Sequence, residues 1–219
     1  MALLTRVMGF REVAAGVYEV EKIRAAGIDV VRRPTGGRAI LHHREITYSV
    51  TAPVIHAEPL RDAYARINRI LQIGLQSLGV SVEIASAAER APAPSVRPCF
   101  EAPGEGELIA RGGKLVGSAQ WRDNRALLQH GSILVDDDQS SLGGFAARGR
   151  ASDRSISAPA TLHALLGRSP DASEVASAMF DAVRLLEDAE ASELAEDEVR
   201  DEASAHVPHF LDEGWTWRR

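Results

Sequence analysis

Apolar residues recur at helical spacing from Leu60 to Leu78: Leu60, Tyr64, Ile67, Leu71, Leu75 and Leu78 form one stripe. This predicts the longest helix of the chain, with Gly79 closing it and the stripe in the core. A second helical pattern runs from Val13 to Ala26, through Val13, Val17, Val20 and Ile23, and ends at Gly27. A third covers Ser173–Glu187, with Val175, Met179, Val183 and Leu186 facing inward and Asp171 as the N-cap. Elsewhere the pattern shortens to strand length. Strands are predicted at Ala2–Met8 (or a frayed end), Ile28–Arg32, Ala39–Leu41, Ile46–Ala52 and Val80–Ile84. A meander follows: Glu107–Ala110, Lys114–Arg122 and Arg125–Val135, joined by turns at Arg111-Gly112-Gly113 and Asp123-Asn124. Pro53 ends the Ile46–Ala52 strand.

Two stretches break the pattern. Ala87–Gly106 holds Pro92, Pro94, Pro98 and Pro103 and reads as a long loop, a length that in compact domains is functional or disordered. Asp136–Gly149 is polar, Gly-rich and also read as loop. Leu162–Leu166 is a short helical piece, and Ala191–Ala205 an acidic, solvated helix. Trp215 and Trp217 suggest that the tail docks back on the body. The whole reads as an α/β (α+β) fold, a mixed and mostly antiparallel sheet flanked by helices. It forms one domain over residues 1–219, with 171–219 as its helical C-terminal portion.

Composition narrows the function classes. The chain has 219 residues, 45% of them hydrophobic, and a net charge of −6. That balance argues against sequence-independent nucleic-acid binding. No apolar run is long enough to span a bilayer, and no signal-peptide pattern or internal repeat is visible. A single cysteine precludes an intramolecular disulfide and fits a reducing, cytoplasmic setting.

That cysteine, Cys99, lies in the proline-rich loop, two residues from Arg97. Lys114 starts a strand from which it could fold back toward the thiol. A cation beside a thiol favours the thiolate, the nucleophilic form. A lone cysteine is more often inert, and a turn lysine more often merely solvated. Gly117-Ser118-Ala119-Gln120 places small residues in a strand, as where a ligand lies against backbone, and His130-Gly131-Ser132 repeats this on the next strand. Upstream, Arg32, Arg33 and Arg38 flank Pro34-Thr35-Gly36-Gly37, a corner suited to a carboxylate, phosphate or polarised carbonyl, or simply a basic turn. His42 and His43 read equally as acid–base residues or as loop-end histidines.

Taken together, RRPTGGRAILHHREITYSV, CFEAP, GGKLVGSAQ and LLQHGSILVD resemble the lipoate/octanoate attachment family, which is related to biotin protein ligases. The CF-x-x-P cysteine paired with the G-K-x-x-G-S-A-Q strand looks most like the Gram-positive-type octanoyl-carrier-protein:protein octanoyltransferases. The resemblance implies a biotin/lipoate ligase-like catalytic domain in the cytoplasm, with no metal and no dedicated cofactor. Octanoate arrives on acyl carrier protein, Cys99 takes it as a thioester, and the lysine of a lipoyl-domain protein receives it as an amide. Glycine-cleavage H protein and the 2-oxoacid dehydrogenase E2 subunit are the implied acceptors. Lys114 matches the lysine beside the acyl carbonyl. Arg33, Gly36, Gly37 and His42 match one side of the acyl pocket; Gly117, Ser118, Ala119, His130 and Gly131 match the other.

The sequence departs from that pattern in places. The family begins with a helix and strands upstream of the position of Met8-Gly9, so the expectation is a shortened N-terminal part. His43 stands where the family has Asp, and the segment after Cys99 has glycines where relatives carry an aromatic residue. Three alternatives stay open: an ATP-dependent lipoate–protein ligase, in which Lys114 and the glycine-rich corner serve an acyl phosphate; an amidotransferase between lipoyl domains; and a non-catalytic acyl- or carrier-binding remnant.

Overall fold

A computed structural model describes residues 7–10, 18–35, 38–54, 58–86, 99–100, 103–147 and 158–217. Residues 2–6 and 13–17 of the first two predicted elements, Gly36, Gly37 and most of the proline-rich loop lie outside them. Two sheets carry the fold. The smaller has the order β2-β1-β3, from β1 (Val7–Phe10), β2 (Asp29–Arg32) and β3 (Ile40–His42). β1 pairs parallel with β2 and antiparallel with β3. The larger is antiparallel throughout, with the order β4-β8-β7-β6-β5. Its strands are β4 (Glu45–Pro53), β5 (Glu83–Ile84), β6 (Leu108–Ala110), β7 (Gly113–Arg122) and β8 (Ala126–Leu134).

The predicted meander is β6-β7-β8. Its first turn is tighter than expected: Arg111 and Gly112 alone have positive φ (49° and 78°), and Gly113 already belongs to β7. Two successive left-handed residues match the right-handed twist of the flanking strands. At the second turn Asp123 Oδ1 accepts from the backbone N–H of both Arg125 and Ala126, at 2.7 Å each. Pro53 is the last residue of β4 rather than the residue that stops it. It pairs with Ala126 where the sheet ends, a place where a missing N–H is tolerated.

Helix α2 (Leu60–Ser77) packs the predicted stripe inward: Ile67, Leu71 and Leu75 are buried, while Leu60 at its start is 39% exposed. The chain leaves the helix through Gly79, whose φ of +88° lets its own N–H reach Gln76 O and that of Val80 reach Leu75 O. Helix α4 (Ala172–Leu186) starts as predicted, with Asp171 accepting from Glu174 N at 2.8 Å. Its inner face agrees with expectation at Val175 and Met179 and differs beyond them. Val175, Ala178 and Ala182 are buried, whereas Leu186 is exposed. The alanines bring α4 close to α2, so that Met179 Sδ lies 2.6 Å from where a Cβ on Gly74 would sit. The main core lies between these helices and the inner face of the large sheet, around Leu71, Leu75, Leu115, Ile133, Leu162 and Val175.

Three other expectations are revised. Within the described residues the first helix, α1, covers Val20–Ala25, and Tyr18 before it makes a β-bridge to Ala146 instead of a helical turn. The stretch read as loop after Asp136 contains a 3-10 helix over Gln139–Phe145. It seals the small sheet: Gln139 donates to Leu41 O (2.6 Å) and accepts from Leu41 N (3.1 Å), standing in for a neighbouring strand. The acidic segment Ala191–Ala205 holds one helix, α5 (Glu196–Ser204), that starts later than expected; α6 (Val207–Leu211) and α7 (Glu213–Thr216) follow it, and the short α3 (Leu162–Leu166) lies earlier in the chain as predicted. The tail does dock back: Trp215 Nε1 donates to Arg32 O at 2.9 Å, and Trp217 packs on the cluster of Tyr18, Ile23, Ile28 and Leu142.

Candidate active site

The two sheets meet at a cleft, and Cys99 sits where they meet. Its N–H donates to Ala39 O beside β3, and its carbonyl accepts from Lys114 on β7. Phe100, next in the chain, is buried against Ile40 and Leu134 and anchors the turn. The cleft is lined by Cys99, Arg33, Ile40, His42, Thr47, Gly117, Ser118, Ala119, His130, Gly131 and Ser132. Its cavity volume is about 40 Å³, and it opens to solvent. Every predicted site residue within the described stretches is therefore at this one place: Lys114 touches Cys99, and the other seven line the cleft with it.

Lys114 is 3% exposed, unlike the solvated turn lysine of the simpler reading. Its Nζ lies 2.7 Å from Glu107 Oε1, 2.9 Å from Cys99 O and 3.5 Å from Cys99 Sγ. Those three partners use all three N–H bonds of an ammonium. The cation also stands 5.1 Å from the centre of the Phe100 ring. Glu107 escapes a sequence reading, because an acid at the start of a strand looks merely solvated. Its second oxygen accepts from Gly104 N at 2.6 Å, which fixes the carboxylate.

Small residues shape the β7–β8 wall. A Cβ on Gly117 would stand 3.0 Å from the Phe100 ring and 3.3 Å from Lys114 Cε. A Cβ on Gly131 would stand 2.2 Å from Gly117 O and 2.7 Å from the Tyr48 ring, distances that no side chain tolerates. Behind this wall runs a buried polar chain. Tyr48 Oη and Ser118 Oγ are 2.6 Å apart; Gln129 Nε2 donates to Tyr48 Oη and to Asn68 Oδ1, and Asn68 donates to Gly106 O. Burial pushes the Tyr48 hydroxyl up to about 12, partly offset by its bonds to Ser118 and Gln129.

Charged and titratable groups stand on both sides of the cleft: Arg33 and His42 on the side of the small sheet, His130 on β8. Arg33 does not form an exposed basic corner; its Nη2 donates to Arg38 O at 2.8 Å, and its Nε is buried with no partner among the described residues. Burial holds the guanidinium below its ordinary range, while the charges of Cys99 and Glu45 pull it back up. His130 bonds Thr35, whose side chain is fully buried. Burial, then the charges of Arg33 and His42, lower its imidazole to about 4. His42 is held through Nδ1 by the carboxylate of Glu45. His43, at the position where the family has Asp, faces away from the cleft lining and pairs with Asp138 at 2.8 Å. Among the described residues no group of three or more His, Cys, Asp or Glu side chains is placed to hold a metal, and no helix is long and apolar enough to cross a membrane.

A cysteine and a buried lysine meet here beside a groove floored by Gly, Ser and Ala, between the two sheets of a mixed α/β domain. The chain belongs to the family of the lipoyl protein ligase A/B catalytic domain, whose model matches residues 5–184. It is 42% identical over 159 residues to the octanoyltransferase LipM of Kyrpidia tusciae, covering 68% of this chain and 57% of that protein. It is 38% identical over 141 residues to LipM of Carboxydothermus hydrogenoformans, covering 63% and 52%. The chain thus spans about half the length of the curated relatives it matches. In fold it is similar to a Thermoplasma acidophilum putative lipoate protein ligase solved with lipoic acid (TM-score 0.73, 18% identity, 97% of this chain and 82% of that one). It is likewise similar to a lipoate-protein ligase A solved with ATP (TM-score 0.71, 18% identity, 97% and 81%).

Proposed function

We propose that this protein is an octanoyltransferase of lipoate biosynthesis. It moves octanoate from the phosphopantetheine thioester of acyl carrier protein to a lysine of a lipoyl-domain protein, such as glycine-cleavage H protein or a 2-oxoacid dehydrogenase E2 subunit. The carrying observation is the pairing of the Cys99 thiol with the Lys114 ammonium at the mouth of a groove floored by Gly117, Ser118 and Ala119. In the first half-reaction Cys99 Sγ, as thiolate, attacks the thioester carbonyl. The new C–S bond forms as the old one breaks, and the pantetheine sulfur leaves with the electron pair and takes a proton from solvent. In the second, the acceptor ε-amine attacks the Cys99 thioester, and Sγ leaves as thiolate beside Lys114. Arg33, His42, His130 and Gly131 shape the acyl pocket in this reading, together with Gly36 and Gly37. The chemistry needs no cofactor.

An ATP-dependent ligase fits less well, because all three N–H bonds of Lys114 already have partners and none is free for an acyl phosphate. The names of the matched relatives support the same choice. The test is intact mass after incubation with octanoyl-acyl carrier protein in the absence of ATP. A hydroxylamine-labile octanoyl adduct on wild type and none on Cys99→Ala is the expected result. ATP-dependent attachment of free octanoate or lipoate without an adduct would overturn the transferase in favour of a ligase. No reaction in either assay would leave only the acyl- or carrier-binding role.

A further inference from the structure

The acyl-enzyme reading, on which this inference rests, leaves one proton unaccounted for. When a lysine ε-amine adds to a thioester, the nitrogen becomes cationic and must lose a proton before or as the C–S bond breaks. Lys114 is badly placed to take it: its ammonium already donates to Glu107, to Cys99 O and to Cys99 Sγ. Two histidines line the cleft, and their partners differ. His130 is bonded to the Thr35 hydroxyl, and burial first, then the charge of Arg33, holds it at about 4, so its imidazolium is disfavoured.

His42 has a carboxylate instead. Its Nδ1 meets Glu45 Oε1, and an ionised carboxylate only accepts, so Nδ1 carries the hydrogen. In the neutral ring this leaves Nε2 as an acceptor. The Glu45 side chain is 3% exposed, and its other oxygen is buried with no partner among the described residues, where His42 holds this carboxylate and Arg33 feels its field. A buried carboxylate behind an imidazole fixes the ring and stabilises the imidazolium as it forms.

We propose that His42 is the catalytic base of the amide-forming half-reaction and Glu45 its positioning residue. As the ε-amine nitrogen bonds to the octanoyl carbonyl carbon, its surplus proton passes to His42 Nε2. The C–S electron pair returns to Cys99 Sγ, and the imidazolium later gives its proton to water. The acceptor lysine therefore enters past β3, between His42 and Cys99.

The experiment separates the two half-reactions. Octanoyl-Cys99 enzyme is formed first and followed by mass; a lipoyl-domain acceptor is then added. His42→Ala is expected to slow transfer about 100-fold and acylation no more than a tenth as much. Added imidazole should restore transfer, as a merely structural defect would not allow. Glu45→Gln, which preserves an acceptor for Nδ1, should slow transfer about 10-fold without imidazole rescue. Thermal unfolding of both variants checks that they fold, with His42→Asn as the second replacement if the alanine variant does not. Equal slowing of both half-reactions, or transfer indifferent to imidazole, would overturn the proposal. If wild type never acquires octanoate on Cys99, the acyl-enzyme reading itself fails, and the role of His42 falls with it.

Discussion

The β7–β8 wall of the cleft is close-packed and closed to variation, while the wall facing it is polar and incompletely paired. In the first, the glycines exclude side chains because backbone and ring atoms already occupy the space, and Tyr48, Gln129 and Asn68 satisfy one another behind it. In the second, Arg33 Nε is buried with no partner among the described residues, and so is Glu45 Oε2, at the start of β4 behind His42. A wall without spare hydrogen-bonding groups serves the fold. A wall with them is poised for a ligand, since unpaired buried groups lower stability until something pairs with them. The contrast separates residues expected to govern folding from residues expected to govern binding.

Lys114→Met attacks the junction of the two walls and should have the largest effect. It leaves the Glu107 carboxylate without its cation, and loss of about 3 kcal/mol is expected for a broken, largely buried pair. Urea unfolding should show this, and alkylation of Cys99 at neutral pH should slow as well. Gly131→Ala places a methyl against Gly117 O and the Tyr48 ring and should cost about 2–3 kcal/mol of stability by overpacking. The same unfolding assay would detect it, and a change under about 0.5 kcal/mol would mean that the β7–β8 wall yields more readily than its packing indicates. Arg33→Met is the counterpart on the other wall. Removing a poorly paired buried cation should leave the unfolding free energy within about 1 kcal/mol of wild type, while octanoate transfer falls.

The smallest effect concerns acid. His130 has its folded pKa lowered, so the unfolded chain binds more protons between about pH 6.5 and pH 4. Its contribution is fully present above the unfolded value and is lost as pH falls through that window. Allowing for solvent screening of a half-buried ring, about 1 kcal/mol is expected. Urea unfolding at pH 7 and pH 4.5, compared with His130→Gln, should show the wild type losing that much more than the variant.

Much of this was legible in residue patterns. The α2 stripe and the β6-β7-β8 meander follow from spacing alone, because each faces the core on one side only. Lys114 and the small residues after it stood out because a strand seldom spends three positions on Gly, Ser and Ala. The rest depends on long-range contacts that spacing does not encode. Glu107 and Thr35 look like surface residues until the fold buries them. Arg33 reads as a solvated charge until β3 and the Cys99 turn cover it. On α4, Val175 and Met179 pack inward as spacing predicts, but Ala178 and Ala182 are buried beside them while Leu186 is left out, and Met179 already fills the space against Gly74.

The backbone of Cys99 has a mechanical meaning. Its N–H is fastened to Ala39 on the side of the small sheet, and its carbonyl to Lys114 on the large one. The reactive sulfur is thus carried on a clasp between two plates. Any motion that spreads them pulls on the same peptide unit that aims the nucleophile. Exchange of that single amide proton with deuterium would time how often the clasp lets go, and each release would also unseat the sulfur from its cation.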